Sequence, residues 1–177
     1  MKAVILAGGR GSRIEEESQQ KPKPMIEIGT KPIIWHIMKI YSHYNIKNFI
    51  ICCGYKGYLI KEYFVNYFLH NSDVQINIKN NEIKLFNRDE EDWNIILADT
   101  GEETATAGRL KSIEKYLDDD ENFCFTYGDG LADINIKNKI DFHLNHKKNL
   151  TVTAVQLPGR YGSLEIKDNE VKNFLEK

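Results

Sequence analysis

Ala3-Val4-Ile5-Leu6-Ala7 runs directly into Gly8-Gly9-Arg10-Gly11-Ser12-Arg13. A Val/Ile/Leu run bounded by glycine reads as a buried strand. Glycines at 8, 9 and 11 leave the backbone N–H groups of the following turn free to converge on one anion, with no side chain in the way. Arg13 stands where it can neutralise charge on that anion. The chemistry implied is phosphate binding at a sheet edge. The spacing matches neither common phosphate fingerprint, lacking the Gly-Lys-Ser/Thr ending of the P-loop and the G-x-G-x-x-G of dinucleotide sites. Lys21-Pro22-Lys23-Pro24-Met25 adds two cations downstream, in a segment that taken alone also suits a solvated loop.

Tyr127-Gly128-Asp129-Gly130 follows a predicted strand at its carboxyl end, where open α/β sheets place their ligands. Flanked by glycines, the Asp129 carboxylate is placed to hold Mg²⁺ while phosphate oxygens and water take the ion's other positions. Alone, Gly-Asp-Gly reads as a turn; its order on one chain behind a glycine cradle favours the metal. Thr104-Ala105-Thr106-Ala107-Gly108-Arg109-Leu110 enters a helix. Backbone and hydroxyl donors there suit a base edge or a phosphate, and capping by Thr104 or Thr106 is the alternative.

The elements that must position these residues follow from periodicity. Residues 32–41 carry apolar positions at helical spacing, with Pro32 predicted at the first helical position. Residues 48–53 form a wholly apolar strand. Gly54-Tyr55-Lys56-Gly57 then turns into a helix with Ile60, Phe64, Tyr67 and Phe68 on its inner side. Strand, helix, strand, helix implies a parallel sheet. Residues 73–99 break the rhythm: alternating stretches at 74–78 and 82–86 and the run at 93–98 read as an excursion of short, antiparallel strands before the sheet resumes. A helix at 108–117, a strand at 123–127, a helix at 134–146, a strand at 150–157 and a hairpin over 163–166 and 171–175 complete the expectation.

The chain has 177 residues and a net charge of −2. That length suits a single α/β domain spanning 1–177, and the charge balance points to neither nucleic acid nor an anionic membrane as partner. No run approaches a membrane span and the start lacks a signal peptide's pattern, so the expectation is a cytoplasmic protein. Cys52, Cys53 and Cys124 lie in apolar strand runs and read as buried; an odd count without C-x-x-C spacing argues against disulfides and zinc. His36, His43, His70, His143 and His146 lack metal-ligand spacing. Trp35 and Trp93 read as core or interface residues rather than base-stacking platforms.

Taken together, the segments 1–9, 21–28, 31–38 and 48–64, with Asp99-Thr100-Gly101, Gly108-Arg109-Leu110, 125–130, Asp133 and Pro158-Gly159-Arg160-Tyr161-Gly162, make the chain resemble the sugar-phosphate nucleotidyltransferases. Tyr-Gly-Asp-Gly with Gly-Arg-Leu makes it similar to their glucose-1-phosphate cytidylyltransferase branch. The resemblance implies a Rossmann-like, mostly parallel (mixed) sheet flanked by helices, of GT-A-like architecture. It covers the family's N-terminal two thirds, so the chain is expected to be truncated at its C-terminus relative to the family. The implied reaction transfers a cytidylyl group from CTP to glucose 1-phosphate, with Mg²⁺ as cofactor and a homo-oligomer as the expected assembly. By resemblance Leu6, Ala7, Gly8, Gly9, Arg10, Gly11, Ser12, Arg13, Lys23, Thr104, Arg109 and Gly128 meet the nucleotide, and Asp129 holds the metal. Arg13, Lys23 and Asp129 are the implied catalytic set, and Gly162, Glu176 and Lys177 the sugar-phosphate contacts. Ala107 stands where the family has glycine, a methyl expected to crowd the base pocket. A CTP-binding fragment without turnover, and a transferase with another acceptor, remain open at this point.

Overall fold

The structure, a computed structural model, describes residues 1–10, 21–87, 91–117, 122–155, 163–167 and 170–175. β1 (Ala3–Ala7) is followed by a 3-10 turn at Lys23–Met25, the two-residue strands β2 (Glu27–Ile28) and β3 (Lys31–Pro32), and helix α1 (Ile33–His43). Next come β4 (Asn48–Cys53), α2 (Gly57–Val65), the short α3 (Tyr67–His70), β5 (Asp73–Asn77), β6 (Glu82–Phe86) and β7 (Asn94–Asp99). Helix α4 (Thr106–Ser112), a 3-10 turn at Glu114–Tyr116 and β8 (Cys124–Tyr127) complete the first compact unit, Met1–Ile136. The second unit, Lys137–Lys177, contains most of α5 (Ile136–His146) and the antiparallel hairpin of β9 (Ser163–Lys167) and β10 (Glu170–Leu175).

In the first unit four parallel strands stand in the order β7-β4-β1-β8. β1 and β4 are apolar on both faces because both faces are covered. Val4, Leu6, Ile50, Cys52 and Ala98 pack with Ile113 on one face, joined by Leu110, Tyr116 and Leu117. On the other face Phe49 meets Trp93 with ring centroids 5.9 Å apart, and Trp93 meets Trp35 of α1 at 6.1 Å. The two tryptophans are therefore core scaffolding. The pairings Ala7↔Cys53, Cys53↔Asp99 and Leu6↔Tyr127 bring Gly8, Gly54, Thr100 and Gly128 to one carboxyl-terminal edge. β5 and β6 form the expected antiparallel pair, whereas 94–99, expected in the same excursion, are β7 of the main sheet, paired parallel to β4.

Several local expectations are corrected. Pro32 lies one residue before α1 in extended backbone and pairs with Glu27, so it closes a β-bridge rather than opening the helix. Phe68 is 46% exposed. The helix ends at Val65, and the break at Asn66 rotates the following turn, carrying Phe68 off the stripe that Ile60 begins. The helix predicted over 108–117 is α4 followed by a 3-10 turn. No hydroxyl caps α4, whose N-cap is Ala105. Cys124 is only half-buried, because β8 is the outer strand of this sheet among the described residues. Residues 150–155 form no strand, and Leu150 and Val152 are about three-quarters exposed. An apolar alternation becomes a strand only when a neighbour completes its ladder, and none does so among the described residues.

Candidate nucleotide-binding site

The carboxyl-terminal edge of the sheet holds a cavity of about 240 Å³. Leu6, Ala7, Gly8 and Gly9 form one wall, Lys23 and Pro24 a second, Thr104, Ala105, Thr106 and Arg109 a third, and Tyr127 with Asp129 a fourth. Residues expected from separate parts of the sequence thus meet here. Gly11, Ser12, Arg13, Gly162, Glu176 and Lys177 lie outside the described residues.

β1 and β8 are tied at the cavity floor by the Gly128 N–H, which donates to the Leu6 carbonyl at 2.8 Å. A Cβ at residue 128 would lie 2.8 Å from that carbonyl oxygen and 2.9 Å from Cγ of Pro24, so the close approach requires glycine. A Cβ at residue 130 would meet nothing within 4 Å. The 3-10 turn Lys23–Met25 buries Pro24 and brings Lys23 to the cavity. Lys23 Nζ lies 4.0 Å from Asp129 Oδ2, with the lysine side chain 18% exposed and the aspartate 45%. Lys21 instead pairs with Glu27 at 2.8 Å, and this hydrogen bond holds the Glu27 carboxyl below its ordinary range. Of the two lysines of the Lys-Pro-Lys-Pro segment, only Lys23 presents its charge to the cavity.

Arg10, next in sequence to the cavity-lining Gly9, pairs through Nη2 with carboxylate oxygens of Glu102, at 3.2 Å, and of Glu103. Nothing local announced this pair, since more than ninety residues separate its members. Ala107 is exposed and absent from the cavity lining, so the expected crowding by its methyl does not arise. Burial pushes the thiols of Cys52 and Cys53 up to about 11, which keeps both protonated and unreactive behind the site.

Arg109 is 5% exposed. Its Nη1 donates to Thr100 Oγ1 and the Gly101 carbonyl, both at 2.7 Å, and to the Cys53 carbonyl at 3.4 Å. Its Nη2 donates to the carbonyls of Gly8 and Glu102, both at 3.0 Å. Arg109 lines the cavity, as its place at the helix entrance suggests, but nothing around it in the sequence announces this cage of oxygen acceptors. Gly54, opposite Gly8 at the end of β4, was the available signal: a glycine directly after a core strand marks a close approach.

The Nucleotidyl transferase family matches residues 2–177. The chain is 58% identical over 177 residues to the glucose-1-phosphate cytidylyltransferase of Salmonella typhimurium, covering all of this chain and 69% of that protein. It is 42% identical over the same length, with the same coverage, to the probable glucose-1-phosphate cytidylyltransferase of Bacillus subtilis. The chain belongs to the nucleotidyl transferase family, on its glucose-1-phosphate cytidylyltransferase branch. The solved structure of HddC from Yersinia pseudotuberculosis, complexed with GMP-PN, superposes with a TM-score of 0.64 at 24% identity, covering 99% of this chain and 69% of that one. This likeness shows the fold, the Rossmann-like α/β architecture of nucleotidyl transferases with a largely parallel sheet between helices. Among the described residues no helix is long and apolar enough to cross a membrane.

Proposed function

We propose that this cavity binds CTP and that the protein transfers its cytidylyl group to glucose 1-phosphate, giving CDP-glucose and pyrophosphate. The observation that carries the reading is the meeting of the Gly8-Gly9 turn, Lys23 and Asp129 at one sheet edge, in a chain 58% identical to a named glucose-1-phosphate cytidylyltransferase. Leu6 to Gly9, Lys23 and Thr104 line the cavity that would take the nucleotide, and Arg10, Gly11, Ser12, Arg13, Arg109 and Gly128 complete the assigned nucleotide contacts. Gly162, Glu176 and Lys177 are the sugar-phosphate contacts.

A phosphate oxygen of glucose 1-phosphate attacks the α-phosphorus of CTP in line. The new O–P bond forms as the bond to the β-phosphate oxygen breaks, and pyrophosphate leaves with that electron pair. The nucleophile is already an anion, so the site needs no general base, only positioning and neutralisation of charge. Lys23 and Arg13 supply fixed positive charge. Pro24 and Tyr127 line the cavity on two sides, and the backbone donors of the glycine turn orient the phosphates.

Asp129 would hold Mg²⁺. Among the described residues no group of three or more His, Cys, Asp or Glu side chains is placed for a metal, and a half-exposed carboxylate at a strand end suits an ion that takes its remaining ligands from phosphates and water. When bound, Mg²⁺ adds positive charge at the phosphates and helps neutralise the departing pyrophosphate. The test is pyrophosphate release from CTP, Mg²⁺ and glucose 1-phosphate, beside UTP and dTTP controls and a CTP titration. Release with CTP is expected; CTP binding without release would reduce the protein to a nucleotide-holding module, and release only with another nucleotide would overturn the base assignment.

A further inference from the structure

We propose that Arg109 is a positioning residue for the phosphate-binding turn, acting through the Gly8–Gly9 peptide, and that residue 8 is glycine because the Arg109 guanidinium lies against it. The inference rests on the reading of the cavity as a triphosphate site.

Among the described residues no carboxylate forms an ion pair with Arg109. A buried cation left without compensation costs several kcal/mol, and here the compensation comes from oxygen dipoles on three separate segments: the end of β1, the end of β4 and the turn at 100–102. The fork geometry of a guanidinium can span these acceptors, whereas an ammonium is a single point. The Gly8 carbonyl is gripped twice, by Arg109 Nη2 at 3.0 Å and by the Tyr55 N–H at 3.1 Å.

A trans peptide is planar, so its C=O and N–H point in opposite directions, and no cis peptide occurs among the described residues. Holding the Gly8 oxygen against Arg109 therefore turns the Gly9 N–H away from the guanidinium. Gly8 and Gly9 both line the cavity. The donor is oriented before any ligand arrives, which removes the cost of ordering it on binding.

The same contact explains the glycine. A Cβ at residue 8 would lie 2.2 Å from Arg109 Nη1, 2.5 Å from Cζ and 3.0 Å from Nη2. These are its three nearest neighbours, and they belong to a side chain pinned by the hydrogen bonds above. At Gly54 a Cβ would meet Arg109 Nη1 at 2.5 Å and also two backbone carbonyls, so residue 8 is the cleaner probe.

The experiment uses Gly8→Ala, Arg109→Ala, the double variant and Arg109→Lys in the full chain, read by thermal unfolding and by titration with CTP and with inorganic tripolyphosphate, which has no base. Gly8→Ala should lower the unfolding temperature in the parent and lower it much less in the Arg109→Ala background, since the clash partner is then gone. Arg109→Ala should weaken CTP and tripolyphosphate binding by a similar factor, about tenfold for loss of a charge-assisted brace. Arg109→Lys should lose tripolyphosphate affinity as well, and it carries the comparison if the alanine variant does not fold. Additive unfolding shifts would overturn the Gly8–Arg109 contact. Loss of CTP affinity with tripolyphosphate binding intact would overturn the positioning role and make Arg109 a base contact. Parent protein that binds neither ligand would remove the reading of the site, and the positioning role with it, while the unfolding cycle would still decide the packing.

Discussion

Asp129→Asn is expected to act in opposite directions with and without Mg²⁺. In the free protein Lys23 Nζ lies 4.0 Å from the Asp129 carboxylate. Unit charges at that separation attract by about 1 kcal/mol in water and about 4 kcal/mol at an effective dielectric of 20. The aspartate side chain is 45% exposed, which places the pair near the lower figure. Substitution frees the ammonium and removes a negative charge that faces an incoming triphosphate. CTP binding in EDTA should therefore tighten by about fivefold, the equivalent of roughly 1 kcal/mol, with the gain shrinking as salt rises. With Mg²⁺ present the same substitution removes the protein's ligand, and pyrophosphate release should fall by about a hundredfold or more. Calorimetric titration of CTP with and without the metal measures the first effect and a coupled pyrophosphate assay the second. Unchanged or weaker metal-free binding would refute the argument that Asp129 competes for Lys23, and unchanged release would remove Asp129 as the metal ligand.

Two further outcomes follow from the same geometry. Glu103→Gln should release Arg10 from one of its two carboxylate partners; because Arg10 is 60% and Glu103 78% exposed, CTP should bind only about twofold to fivefold tighter at low salt, with the difference gone near 1 M salt. An effect larger than that, or one that persists at high salt, would mean that the pair is not a screened surface contact. With their pKa raised from 9 to about 11, Cys52 and Cys53 should hold about 0.1% thiolate at pH 8 against about 10% when unfolded, so alkylation by iodoacetamide should be at least about a hundredfold slower in the folded protein. Because folding raises these pKa values, the stability linked to them is fully present below pH 9 and is lost as pH climbs toward 11; fast alkylation of the folded protein at pH 8 would contradict the burial argument.

How far the fold was legible depends on where its information lies. β1 and β4 announced themselves as unbroken apolar runs because both faces of those strands are covered, and β5 and β6 showed the alternation of a pair with differing faces. Phe68 was misread because periodicity assumes that a helix continues, and Asn66 ends that regularity. Residues 150–155, within the stretch expected as a strand, form none, because a ladder needs a partner that the strand's own residues do not encode. At the site, Gly8, Gly9, Lys23 and Asp129 were legible as residue types suited to phosphate and metal. Their assembly into one cavity was an expectation from topology and resemblance, and it follows in the structure from the register of four parallel strands.

By itself the sequence determined the family, the parallel order of strand and helix, and the residue types able to hold phosphates, because these depend on local pattern and on spacing along the chain. The tertiary structure alone decided that Lys23 rather than Lys21 faces the cavity, that Arg10 rests on Glu102 and Glu103, and that Arg109 binds the carbonyl of a glycine 101 residues away. These contacts arise only after the strands have brought distant segments to one edge, where a buried guanidinium must find oxygen acceptors wherever the backbone supplies them.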